Sequence, residues 1–205
     1  MEVFNDIDGD LINLYRQIKD NCPALQAEID WLHLRELFKQ YRFEIENQTP
    51  LTDVQRAARY LYLIKASFGS NRYSFATDEK AIYRIIEELP RYRDRLQKVI
   101  IERLDFEQLI KTYDRPTALF YVDPPYIGAE SYYNKNYSRF SEADHKRLRD
   151  CLRKIKGRFI LSYNSCDFVL ENYRDFNISF VSRKNTLPAK EACREEYKEV
   201  IITNY

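Results

Sequence analysis

Two hydrophobic periods divide this chain, and their order restricts what it can fold into. Residues 2–5 (EVFN) read as a short strand that runs through an acidic turn, Asp6-Ile7-Asp8-Gly9-Asp10. Leu11, Ile12, Leu14, Tyr15 and Ile18 then recur at helical spacing, so about 10–20 is an amphipathic helix. From about 22 to 97 the period is helical throughout. Trp31, Leu32, Leu34, Leu37, Phe38 and Tyr41 form one stripe, and Ala57, Ala58, Tyr60, Leu61, Leu63 and Ile64 form a second. Thr52 with Gln55 fits a capping box at the start of that second helix. Ser67–Thr77 (SFGSNRYSFAT) breaks the period as a loop, and 78–89 is a third helix expected to stop near Pro90.

Beyond residue 97 strand and helix alternate. Val99–Ile101 is a strand, Asp105–Tyr113 a short helix, and Ala118–Val122 (ALFYV) a strongly apolar, buried strand. Ser141 caps a helix through Ile155. Arg158–Ser162 is a strand, 166–173 a helix, and 176–182 and Tyr197–Thr203 are strands with no helix between them. Residues 127–140 and 184–196 are loops. The expectation is an α/β sheet whose first β/α unit is separated from the rest by a helical insertion and whose last two strands form an antiparallel pair at the edge.

Composition narrows the function classes. With 33 basic and 32 acidic residues the net charge is +1, so nucleic-acid binding would need a local patch rather than bulk charge. At 32% charged residues, with no apolar run near the ~20 residues of a spanning helix, a membrane protein is excluded. The acidic N-terminus has no signal-peptide core, and a cytoplasmic location is expected. Four scattered cysteines and two histidines make a metal site improbable. Four glycines, no two in a GxG, leave no dinucleotide fingerprint and no phosphate loop.

The chemistry concentrates in Asp123-Pro124-Pro125-Tyr126, just past the carboxyl end of a strand, where ligands bind in open α/β sheets. Two prolines fix φ and offer no N–H, so the carbonyls are held rigidly. The Asp123 carboxylate and the Pro124 carbonyl are two acceptors that can take both hydrogens of an exocyclic amino group. That withdraws the nitrogen lone pair from ring conjugation and makes the nitrogen nucleophilic. Tyr126 offers a face on which a base turned out of the duplex can stack, worth roughly 1–3 kcal/mol.

With that tetrapeptide, Asn5–Asn13 (NDIDGDLIN), Ile101–Phe106 (IERLDF), Phe159–Asn164 (FILSYN) and Tyr197–Tyr205 (YKEVIITNY), nearly the whole chain resembles the Dam-type DNA adenine methyltransferases. The resemblance implies a Rossmann-like methyltransferase core over 1–20 and 98–205 and a helical target-recognition insertion over 21–97. It implies transfer of a methyl group from S-adenosylmethionine to the exocyclic amino group of adenine in double-stranded DNA, as in restriction-modification systems. Asp123, Pro124, Pro125 and Tyr126 are then catalytic. Asp6 accepts hydrogen bonds from the cofactor ribose, and Ile7, Leu104, Asp105, Phe106 and Asp123 complete the cofactor set.

This family places an FxGxG glycine loop and an earlier lysine segment before the ribose aspartate, and its first strand with them. Here only four residues precede Asn5, so a neighbouring strand edge is expected to lie unpaired. An alternative therefore stays open: an inactive remnant, or a DNA-binding part of a split enzyme needing an N-terminal partner fragment.

Three loops carry a candidate DNA-facing set: Lys65, Ser67, Asn71, Arg72 and Tyr73; Lys135 and Arg139; Arg183, Lys184, Asn185 and Lys190. Taken singly each reads as solvated surface. As a set they pair phosphate-contacting cations with base-reading side chains. Asp8 and Asp10 read as solvated acids of a helix first turn, and His145 as a solvated helical histidine.

Overall fold

The computed structural model describes residues 1–30, 35–67, 72–76, 79–128, 140–184 and 196–205. The chain forms two compact units, Met1–Leu104 and Asp105–Tyr205.

In the first unit strands β1 (Glu2–Asn5) and β2 (Val99–Glu102) pair in parallel, with Phe4 opposite Ile101. Helices α1 (Gly9–Asp20), α2 (Cys22–Asp30), α3 (Arg35–Glu46), α4 (Asp53–Lys65) and α5 (Glu79–Leu96) fill the segment between them. Their apolar stripes meet in one core through Leu14, Ile18, Leu25, Phe38, Tyr41, Leu61, Leu63 and Leu89. The α4 start is the expected capping box: Thr52 Oγ1 accepts from Gln55 N–H, and Gln55 accepts from Thr52 N–H. Trp31, Leu32 and Leu34 of the first stripe lie outside the described residues.

Two expectations fail here for identifiable reasons. Helix α5 does not stop at Pro90 but runs through it to Leu96. A proline removes the N–H that would bind the carbonyl four residues back. That carbonyl belongs to Ile86, and Gln26 Nε2 of α2 donates to it at 2.9 Å. A side chain from a neighbouring helix thus replaces the missing donor. Asp10 is not solvated but 5% exposed, and it forms a two-pronged ion pair with Arg56 of α4. The same guanidinium donates to the Ile45 carbonyl, so one arginine joins α1, α3 and α4.

The second unit is a four-stranded sheet in the order β3 (Leu119–Val122), β4 (Arg158–Asn164), β6 (Glu196–Thr203), β5 (Asn177–Lys184). β3 and β4 are parallel, while β6 runs antiparallel to β4 and to β5. Helices α6 (Phe106–Tyr113), α7 (Glu142–Leu152) and α8 (Asp167–Asn172) accompany the sheet. Phe159, Leu161 and Tyr163 of β4 meet Leu148, Leu152, Val169, Tyr173, Val200 and Ile202 in its core. Ser141 and Asp144 close a capping box that starts α7. Gly157, entering β4, is required by close approach: a Cβ there would lie 2.7 Å from the Ala118 carbonyl oxygen.

β3 is one-sided rather than buried throughout. Phe120 and Val122 pack on the core, while Leu119 and Tyr121 are exposed, as befits a strand at a sheet edge. His145 is the converse surprise. It is 2% exposed, its Nδ1 lies 2.6 Å from the Tyr163 hydroxyl oxygen, and its ring meets Phe140 edge-on. It sits on the core-facing side of α7 with Leu148 and Leu152, at helical spacing from both.

Candidate active site

The Asp123–Tyr126 turn leaves the carboxyl end of β3, the edge strand of the four-stranded sheet. Asp123 is exposed and Pro124 buried, with Pro125 and Tyr126 half-buried. Ser162 on β4 donates from Oγ to Asp123 Oδ1 at 2.8 Å. Burial pushes the Tyr126 hydroxyl up, opposed by hydrogen bonding to Ser162. The Tyr126 ring is tilted against Tyr163, centroids 6.3 Å apart. One residue on, Ile127 is gripped at both backbone groups by Asn164: Oδ1 accepts its N–H and Nδ2 donates to its carbonyl, each at 3.0 Å. Gly128 follows at φ 82°, a left-handed conformation that glycine adopts without strain.

The start of the second unit holds Asp105 and Phe106. Asp105 caps α6, accepting from Glu107 N–H at 2.9 Å. Arg147 of α7 clamps both Asp105 oxygens, at 3.0 and 2.8 Å, and also donates to Asp144. Its guanidinium lies 4.3 Å from the Phe106 ring centre, and Phe140 is tilted against the same ring. Arg147 is a residue that sequence reasoning did not single out. Its only signal was a cation at helical spacing from Asp144.

The other candidate cofactor residues belong to the first unit. Asp6 and Ile7 follow the carboxyl end of β1. Asp6 Oδ1 accepts the Asp8 N–H at 2.7 Å. Burial pushes the Asp6 carboxyl up, and the Asp8 N–H opposes it. Leu104 is held as β2 ends: Asn5 Oδ1 accepts its N–H at 2.8 Å and Asn5 Nδ2 donates to its carbonyl at 3.0 Å.

Asp8 links this turn to the candidate DNA loop. Its Oδ1 caps α1, taking N–H groups of Asp10 and Leu11, while Tyr60 of α4 donates to Oδ2 at 3.0 Å. Burial and the neighbouring Asp8 charge push the Tyr60 hydroxyl strongly up. Arg72 pairs with the same Asp8 oxygen at 3.6 Å and lies over the Tyr60 ring. Arg72 has a left-handed backbone, φ 63°, and Ser67 Oγ takes its N–H at 2.9 Å. Of the candidate DNA set, Lys65 and Tyr73 are exposed, Ser67 is buried, and Arg72 turns inward to Asp8. Lys184 ends β5 opposite Glu196. Asn71, Lys135, Arg139, Asn185 and Lys190 lie outside the described residues. Among the described residues no helix is long and apolar enough to cross a membrane.

Comparison with known proteins shows the family of this chain. Residues 2–187 match the model of the D12 class N6 adenine-specific DNA methyltransferases. A type II methyltransferase of Lactococcus lactis subsp. cremoris, M1.LlaDCHI, is 31% identical over 99% of this chain and 79% of its own length. The type II methyltransferase M.CviBI of Paramecium bursaria Chlorella virus NC1A is 26% identical over 84% of this chain and 68% of its own length. The retron Ec67 DNA adenine methylase of Escherichia coli is 26% identical over 97% of this chain and 74% of its own length. The chain belongs to the D12 class N6 adenine-specific DNA methyltransferase family, whose enzymes methylate the exocyclic amino group of adenine in DNA.

Proposed function

We propose that Asp123–Tyr126 receives an adenine turned out of double-stranded DNA and prepares its amino nitrogen for attack on the methyl group of S-adenosylmethionine. The observation that carries this reading is the placement of an exposed carboxylate, a rigid two-proline turn and a half-buried tyrosine at one strand end. Asp123 and the Pro124 carbonyl accept the two amino hydrogens. The nitrogen lone pair then leaves the ring system and points at the electrophile. Tyr126 stacks on the base, which offsets part of the cost of unstacking it. Most of the acceleration comes from holding reactants in line.

The residues present fit the nucleoside end of S-adenosylmethionine. Asp6, a half-buried carboxylate at a strand end, suits a ribose diol, because two vicinal hydroxyls present donors to one carboxylate. In the first unit Ile7 and Leu104 are the proposed apolar contacts at the same strand ends as Asp6; in the second unit, taken by itself, Asp105 and Phe106 are proposed contacts, Phe106 through its aromatic ring. When bound, the cofactor supplies a sulfonium-activated methyl group. The catalytic core is proposed to comprise 1–20 and 98–205 as a Rossmann-like methyltransferase sheet, with 21–97 as the target-recognition insertion. The exposed Lys65 and Tyr73 of that insertion and Lys184 of the core are proposed DNA contacts, with Ser67 and Arg72 holding the shape of the loop that carries Tyr73, and with a cytoplasmic location beside the substrate.

The test is Asp123→Ala. Methyl transfer to unmethylated DNA should vanish while the circular dichroism stays that of the parent and the melting temperature falls by no more than roughly 2–8 °C, the cost of Ser162 losing its acceptor. Substantial residual turnover in that variant sinks the reading.

A further inference from the structure

Both ends of the Pro124–Tyr126 segment are tied to a single strand. Ser162 and Asn164 lie two residues apart on β4 and therefore share a face of the sheet. Ser162, 5% exposed, donates to Asp123 Oδ1 before the segment. Asn164 grips both backbone groups of Ile127 after it. Among the described residues, no backbone–backbone hydrogen bond holds residues 123–127. The prolines fix φ at two positions but leave ψ free and supply no donor. Among the described residues, this pair of side chains on a packed strand, whose neighbours Leu161 and Tyr163 are core residues, ties the turn to the sheet.

The division of labour follows from the bonds. Ser162 occupies one oxygen of Asp123, which fixes the rotation of the carboxylate. The other oxygen takes no hydrogen bond from the described residues and is left for an incoming donor. Asn164 replaces the two ladder bonds that a further pair of strand residues would have made. It carries the register of β4 past the end of β3 and into the turn.

We propose that Ser162 and Asn164 are positioning residues for methyl transfer, Ser162 aiming the Asp123 carboxylate and Asn164 fixing the Pro124 carbonyl and the Tyr126 ring relative to it. This rests on the reading that Asp123–Tyr126 receives the target adenine. A displacement of about 1 Å at a reacting centre can cost on the order of 100-fold in rate. Asparagine clamping is thus a means of holding the acceptors within that tolerance.

The experiment measures kcat and KM for methyl transfer by the full chain, with labelled S-adenosylmethionine and unmethylated genomic DNA. The variants are Asn164→Ala, Asn164→Gln, Ser162→Ala, Ser162→Thr and Asp123→Ala. Both Asn164 variants should lose about 100-fold in kcat. Asn164→Gln keeps the amide but moves it by one methylene, so its loss separates position from hydrogen-bonding capacity. Ser162→Ala should lose about tenfold, the worth of one hydrogen bond to a charged group, and Ser162→Thr should regain most of it. KM for S-adenosylmethionine should stay within about threefold in the Ser162 and Asn164 variants, since an interaction used only in the transition state lowers kcat alone.

Turnover like the parent's in Asn164→Ala and Ser162→Ala, with Asp123→Ala inactive, overturns the positioning roles and leaves the catalytic reading standing. An active Asp123→Ala overturns that reading first, and the inference with it. If Asn164→Ala fails to fold, the Ser162→Ala and Ser162→Thr pair decides. A loss that Ser162→Thr does not restore, and that tracks the melting temperature, marks a structural role only and also overturns the proposal.

Discussion

The hydrogen bond from Gln26 to the Ile86 carbonyl makes a quantitative claim about why α5 survives a proline. In Gln26→Leu the side chain keeps its approximate volume but loses its donor. The Ile86 carbonyl, with no Pro90 N–H, is then left in a half-buried position. An unsatisfied buried acceptor costs about 1–3 kcal/mol, and partial access to water puts this one near 1–2 kcal/mol. For a chain of this size that is a fall of roughly 2–8 °C in melting temperature. Pro90→Ala restores an N–H aimed at the same carbonyl. In that background Gln26→Leu should cost little, because the acceptor already has a partner. The assay is a double-mutant cycle in urea, with unfolding followed by circular dichroism. A coupling near 1 kcal/mol is expected, whereas additivity to within about 0.3–0.5 kcal/mol would refute the reasoning.

Three further outcomes follow from the same kind of bookkeeping. Arg56→Met removes the two-pronged partner of the buried Asp10 carboxylate and should destabilise by about 3–5 kcal/mol in chemical denaturation, with Asp10→Asn in the same background recovering part of it. Tyr60→Phe removes the hydroxyl on Asp8 and should cost about 1.5–3 kcal/mol by the same measurement, with weaker S-adenosylmethionine binding in calorimetry because the Asp6–Asp8 turn loosens. Asp6 gives a pH signature of defined sign. Burial raises its carboxyl, so the fold holds that proton more tightly than the unfolded chain does. Its contribution to stability is largest at low pH and declines as the pH rises from the ordinary value near 3.9 through the raised one. Ribose recognition needs the ionised form, so cofactor affinity should fall on acidification through the same window, and Asp6→Asn should bind weakly with that pH dependence gone.

What the sequence revealed of the fold depended on how local the determinant was. The capping box at Thr52 and the helix cap at Ser141 are each complete within four residues, and both formed where the sequence placed them. The failures at Pro90, Asp10 and His145 share a cause. In each, a residue whose local preference is clear is overridden by a partner far along the chain: Gln26 for the gap at Pro90, Arg56 for Asp10, and Tyr163 for His145. A proline inside a helical period says that a donor is missing. It does not say that a glutamine about sixty residues earlier will supply one. An acid in a helix first turn favours the dipole whether solvated or buried, so the dipole argument had no power to choose between them.

The candidate site divides along the same line. Asp123–Tyr126 was legible because its chemistry is written in consecutive residues: a carboxylate, two fixed carbonyls and an aromatic face. The side chains that hold it were not, although Ser162 and Asn164 lie in a strand that was read. A serine and an asparagine at alternate positions of a strand look like the polar face of an edge. Only the parallel register, with Val122 opposite Leu161, brings Ser162 and Asn164 alongside the residues just past the end of β3. The register is set by the apolar partners, since slipping it by one residue would turn Phe159, Leu161 and Tyr163 out of the core. The aim of the Asp123 carboxylate is therefore a consequence of hydrophobic packing two residues away. Asn5 does the same for Leu104 at the end of β2, and Asn204 for Gly157 and Phe159 at the start of β4. In each case a side-chain amide, with one donor and one acceptor in a plane, extends a backbone ladder beyond its last residue. It does so where the chain must leave the sheet and yet remain fixed.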